Sequence, residues 1–89
     1  MAELIYQFPV PVRSADGVPY VAQAWAERND GWHGWLVFIA VDGRILRTAR
    51  GTTHATRDAV AVWALTHQLD GLRRALGHAV PPSAELPAA

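Results

Sequence analysis

Arg44, Arg47, Arg50 and Arg57, with His54 among them, are the densest chemistry-bearing set in the chain: four fixed positive charges within fourteen residues. Guanidinium groups grip carboxylates and phosphates through paired N–H donors. Thr56 followed by Asp58 has the pattern of a helix start, whose free first-turn amides also attract anions. The set therefore has the chemistry of an anion or nucleic-acid site. It has a blander reading too, because charges along a strand edge keep that edge from pairing with another chain. Asp42 and Asp58 oppose the four arginines, and the solvated edge is the stronger of the two readings.

A second set, Trp25, Leu36, Phe38 and Gln23, is expected to share one face of a sheet with Arg47. Aromatic side chains beside an arginine on an open sheet can stack nucleic-acid bases. The same composition also closes dimers of small domains face to face. Glu27 and Gln23 dilute the face, which favours a protein partner, in the first place a second copy of the chain. Trp32 and Trp35 do not extend it into one platform, since residues three apart in a strand point to opposite sides. Gly34 between them leaves room for a ring to cross the backbone.

Catalytic and metal chemistry find little support. The chain has no cysteine, its serines, Ser14 and Ser83, lie in a turn and in a proline-rich end, and a Thr53-His54 or Asp58-His54 dyad lacks a third orienting group. His67 and His78 fall on one side of a helix but about 16 Å apart at its rise per residue, too far to share a zinc ion. No cofactor motif occurs, and the expectation is a non-enzyme without a cofactor.

These residues depend on the elements that carry them. From Tyr20 to Arg28 the chain alternates, with Tyr20, Ala22, Ala24 and Ala26 on one side and Val21, Gln23, Trp25 and Glu27 on the other, as a strand does. Asn29-Asp30-Gly31 is a strong hairpin signal. With Asp30-Gly31 as a two-residue loop, Trp25 stands opposite Leu36, and Ala24 opposite Val37. Residues 32–41 are apolar at almost every position, as in a central strand covered on both faces. Asp42-Gly43 repeats the turn signal and places Phe38 opposite Arg47. Residues 4–12 read as an edge strand interrupted by Pro9 and Pro11.

After Gly51, Thr56 is the expected N-cap of a long helix running toward His78. Its stripe of Ala61, Val62, Leu65, Leu69, Leu72 and Leu76 would cover the alanine-rich sheet face, with Gly71 as the weak point. The expected fold is α+β: a three- to four-stranded antiparallel meander with one long C-terminal helix on one face, in β-β-β-α order. It forms a single domain over residues 1–78, followed by a disordered Pro/Ala-rich tail over 79–89.

Composition bounds the function. The chain has 89 residues, is 51% hydrophobic and carries eight basic and eight acidic groups, so it lacks the overall positive field on which most nucleic-acid binders rely. All the basic residues are arginine, as in proteins of GC-rich bacterial genomes. Absence of cysteine, of a signal peptide and of a long apolar run points to the cytoplasm and away from a membrane.

Trp32, Gly34, Trp35, Leu36 and Phe38, then Leu46, Arg47, Thr48, Arg50, Thr52 and Thr53, then Trp63-Ala64 and Ala75-Leu76, form a pattern W-x-G-W-L-x-F, L-R-T-x-R-x-T-T, W-A, A-L. It resembles that of a family of small bacterial proteins without an assigned activity. The β-β-β-α order also resembles HicB-type antitoxin domains, which act by protein binding, though the acidic strand and glycine pattern of those domains are missing here. Both resemblances imply a helix on a sheet, and the second implies a protein partner.

Overall fold

A computed structural model of the chain describes residues 1–49 and 51–82. Six strands and two helices follow one another: β1 (Ala2–Gln7), β2 (Val12–Arg13), β3 (Pro19–Arg28), β4 (Trp32–Ala40), β5 (Ile45–Arg47), β6 (Thr52–His54), α1 (Arg57–Leu65) and α2 (Leu69–His78). The strands make one antiparallel sheet in the order β1-β3-β4-β5, with β2 pairing further along β3 and β6 further along β4. The α+β class is as expected. The strand count is not: the sheet is four strands wide, and the short β2 and β6 bring the total to six.

At the N-terminal end the prolines act as anticipated. Pro9 and Pro11 lie in the connection between β1 and β2, where neither has to donate to the ladder. Both strands pair with β3, and Phe8 rejoins it by donating its amide to the Ala22 carbonyl at 2.9 Å.

Both hairpin loops are one residue longer than expected, and this reorganises the faces of the sheet. Arg28 pairs with Trp32, leaving a three-residue loop in which Asp30 and Gly31 take positive φ values of 52° and 106°. In the second hairpin Ala40 and Arg44 are joined by the Ala40 amide to the Arg44 carbonyl at 2.9 Å, with Gly43 at φ 90°. Trp25 consequently faces Trp35, Ala24 faces Leu36, and Val37 faces Arg47. A slip of one residue turns a strand over. Because β4 takes part in both slips, it alone turns over relative to its neighbours.

One side of the sheet therefore carries Tyr20, Ala22, Ala24, Ala26, Leu36, Phe38 and Ala40, all buried, and the helices cover it. The alanine strip on β3 lets them come close. At Gly34 α1 comes close to the sheet, since a Cβ there would lie 2.8 Å from Val60 Cγ1 and 3.2 Å from Trp63 Cζ3. Gly34 does leave room for a ring, that of Trp63.

The single long helix is also corrected, to two. Thr56 caps α1 as expected, its hydroxyl accepting from the Ala59 amide at 3.2 Å, and Asp58 sits in the first turn. The break comes after Leu65 and not at Gly71, which lies inside α2. The Thr66 hydroxyl donates to the Trp63 carbonyl at 2.6 Å, and the His67 ring lies 3.1 Å from the same oxygen. Side chains thus take the carbonyls that a continuing helix would need. The buried helical residues are Val60, Ala64, Leu72 and Leu76, while Val62 and Leu65 of the expected stripe are more than 60% exposed. Of the expected tail, Val80 exchanges two backbone hydrogen bonds with Arg47 at 2.8 and 3.0 Å, and residues 83–89 lie outside the described residues. No described helix is long and apolar enough to cross a membrane.

Candidate functional site

The side of the sheet away from the helices has no covering layer among the described residues, and the molecule measures only 18 Å through its thinnest axis. Across the four main strands this face presents Leu4 from β1, Val21 and Trp25 from β3, Trp35, Val37 and Ile39 from β4, and Ile45 from β5. Leu4, Val21 and Ile45 are 44%, 38% and 46% exposed, and Trp25, Val37 and Ile39 are half-buried. The register places Leu4 opposite Trp25 and Trp25 opposite Trp35, so three strands contribute large side chains to one row.

Polar groups on this face are largely tied to one another. Trp25 donates its indole N–H to Gln23 Oε1 at 2.9 Å, and the Gln23 amide donates to Gln7 Oε1 at 2.9 Å. The Arg47 guanidinium carbon stands 4.6 Å above the Trp35 ring, a cation–π distance. This cover helps to explain why Trp35 is only 7% exposed on an otherwise open face.

Of the four interface residues expected from sequence, Trp25 and Gln23 lie on the face. Leu36 and Phe38 do not: they are 2% and 0% exposed, within the core beneath the helices. The longer hairpin loops are the physical reason, because turning β4 over exchanges Leu36 and Phe38 for Trp35, Val37 and Ile39. Leu4 belongs to the face as well, through its pairing with Trp25, and the sequence signal for it is weak because Pro9 and Pro11 interrupt the alternation that follows.

The arginines do not gather. Arg44 holds Asp42 at the tip of the second hairpin, Nε to Oδ2 at 2.9 Å, and its amide donates to Asp42 Oδ1 at 3.0 Å. That amide bond holds the Asp42 carboxyl below its ordinary pKa, with the Arg44 charge adding to the effect. Arg57 pairs with Glu3 of β1. His54 shares a 2.7 Å hydrogen bond with Thr52 on its own strand. Arg44 follows the Ala40 end of β4, whereas His54 pairs with the Trp32 end; those ends are about 26 Å apart at the usual rise per residue. Arg47 belongs to the sheet face, and Arg50 lies outside the described residues. Among the described residues no group of three or more His, Asp or Glu side chains is placed to hold a metal ion.

Comparison with protein-family models, with curated proteins and with solved structures finds no match. The functional reading therefore rests on this geometry.

Proposed function

We propose that the chain is a non-catalytic binding module that works through protein–protein contacts, as a homodimer closed by its uncovered sheet face. The observation that carries this reading is the apolar row Leu4, Trp25 and Trp35, flanked by Val21, Val37, Ile39 and Ile45 on one flat, helix-free surface. The four main strands, 6, 10, 9 and 3 residues long and about 4.8 Å apart, give a face of roughly 450 Å². Two such faces bury roughly 900 Å² between them, less than the roughly 1,600 Å² of a standard stable interface and in the range of reversible, concentration-dependent association. A chain with eight charges of each sign meets its own copy without net repulsion.

Sedimentation equilibrium across the micromolar range tests this. The mass of the wild type should rise with concentration toward twice 9.7 kDa. Trp25→Asp should weigh 9.7 kDa with an unchanged far-UV circular dichroism spectrum. A wild type that stays at the lower mass throughout, and brings down no protein from a nuclease-treated lysate, would defeat the reading.

One observation favours a second reading. Arg47 and the half-buried Trp25 share this face, a cation and an aromatic ring of the kind on which single-stranded nucleic acid can lie. On this reading an oligonucleotide binds in a salt-dependent manner and Arg47→Ala weakens it. A binding curve indifferent to salt removes that possibility.

A further inference from the structure

The helix side of the molecule has a feature that the sheet face does not explain. Between the β2–β3 turn and α2 there is a cleft of about 590 Å³, a volume common for small-molecule sites. Its apolar lining includes Tyr20, Leu46 and Leu76, and it is also lined by Arg13 from β2 and Arg73 from α2. No carboxylate lines it. Asp16, the acid of the adjacent turn, is engaged by the Ser14 hydroxyl, and that bond holds its carboxyl below the ordinary pKa.

Tyr20 supplies the second observation. It is only 5% exposed, and a tyrosine buried to that extent normally finds a partner for its hydroxyl. This hydroxyl has none among the described residues, yet it is not sealed from solvent. The cleft is the opening that Tyr20 lines. Arg13 is held in place by a 3.0 Å bond from Nη1 to the Gly17 carbonyl, which leaves its other guanidinium donors unassigned. Two arginines and a tyrosine with a spare hydroxyl therefore line a cleft whose other walls include Leu46 and Leu76.

We propose that this cleft binds a small oxyanion carried on an apolar body, a carboxylate or a phosphate monoester. The arginines take the head group as charge-assisted donors, the Tyr20 hydroxyl gives it a third hydrogen bond, and the apolar body lies against Leu46 and Leu76. The site is separate from the sheet face and does not depend on dimerisation.

NMR titration of the full chain with octanoate, octyl phosphate, octanol and inorganic phosphate tests the proposal. At least one of the two anionic amphiphiles should bind, shifting Tyr20, Leu46 and Leu76, and the tighter of the two identifies the head group. Octanol and inorganic phosphate should each bind about tenfold more weakly, having lost either the charge-assisted bonds or the apolar contact. Arg73→Ala should cost about tenfold, and Tyr20→Phe, which keeps the packing, about fivefold. Three results would each overturn the proposal: no shift with either amphiphile, octanol binding as tightly as octanoate, or shifts centred on the Trp25 and Trp35 indoles.

Discussion

Replacing Gly34 by alanine is a severe test of the sheet register, because the sign of the effect depends on which side of β4 faces the helices. The added Cβ would lie 2.8 Å from Val60 Cγ1, 3.0 Å from Thr52 Cγ2 and 3.2 Å from Trp63 Cζ3. Carbon atoms rest comfortably at about 3.5–4.0 Å, so Val60 has to retreat by roughly 0.7 Å. It has nowhere easy to go: it is fully buried, and a β-branched side chain in a helix has one strongly preferred rotamer. The alternative is to lift α1 off the sheet. Overpacking of this kind costs about 1–3 kcal/mol. Alanine returns about 0.4–1 kcal/mol by restricting the unfolded chain. With three close contacts made at once, the net loss should be about 1–2 kcal/mol, or roughly 5–15 °C in Tm for a chain of this size. Urea unfolding followed by far-UV circular dichroism reads it directly, with the m-value unchanged. Were β4 turned over, Gly34 would face solvent and the same alanine would stabilise. A midpoint at or above that of the wild type therefore refutes the packing of α1 on Gly34.

Gly71→Ala should do the opposite, since a Cβ there meets nothing within 4 Å and the position is inside α2; a gain of about 0.5–1 kcal/mol is expected in the same urea assay. Thr56→Ala should lose about 1 kcal/mol with the cap on the Ala59 amide, and Thr56→Ser should keep most of it. The folded-state pKa of Asp42 is lowered, so its bond to the Arg44 amide contributes fully above the ordinary carboxylate pKa and is lost as the pH falls through the lowered value. In an NMR titration the Asp42 carboxyl should protonate below the ordinary range, with the Arg44 amide shifting in step; protonation at or above that range would count against the turn geometry.

Much of the fold was legible because its signals were local. Both hairpins lie where Asp30-Gly31 and Asp42-Gly43 put them, β3 follows its alternating pattern, and Thr56 caps α1. Loop length was not legible. Asp-Gly serves a two-residue turn and also the end of a three-residue one, and the positive φ of Asp30 and Gly31 is what a two-residue type I′ turn would also require, so the dipeptide does not set the loop length. Alternation normally corrects such an error by forcing polar residues outward. In β4 it cannot, because residues 35–40 are apolar without interruption and either side can face the core. The helix break was hidden for a different reason. Gly71 is the conspicuous helix breaker by propensity, whereas Thr66 and His67 end α1 by taking its last carbonyls, a competition that a hydrophobic stripe does not register.

The two loop errors are equal, and for the candidate site this matters more than their size. Since β4 is slipped against both neighbours, β3 and β5 keep their faces relative to each other, and Trp25 still shares a side with Arg47. Only the contribution of the central strand changes, from Leu36 and Phe38 to Trp35, Val37 and Ile39. The exchange leaves the face strongly apolar, and several of its polar groups are already engaged with one another: Trp25 donates to Gln23, Gln23 donates to Gln7, and the Arg47 guanidinium lies over Trp35. Covering a polar group costs free energy when it loses water and gains no partner. Here the internal bonds survive covering, so a partner need only supply apolar surface of matching shape. A second copy of the same face has that surface, and the charges that would oppose the approach, such as Glu27, sit at its rim, where water can still reach them.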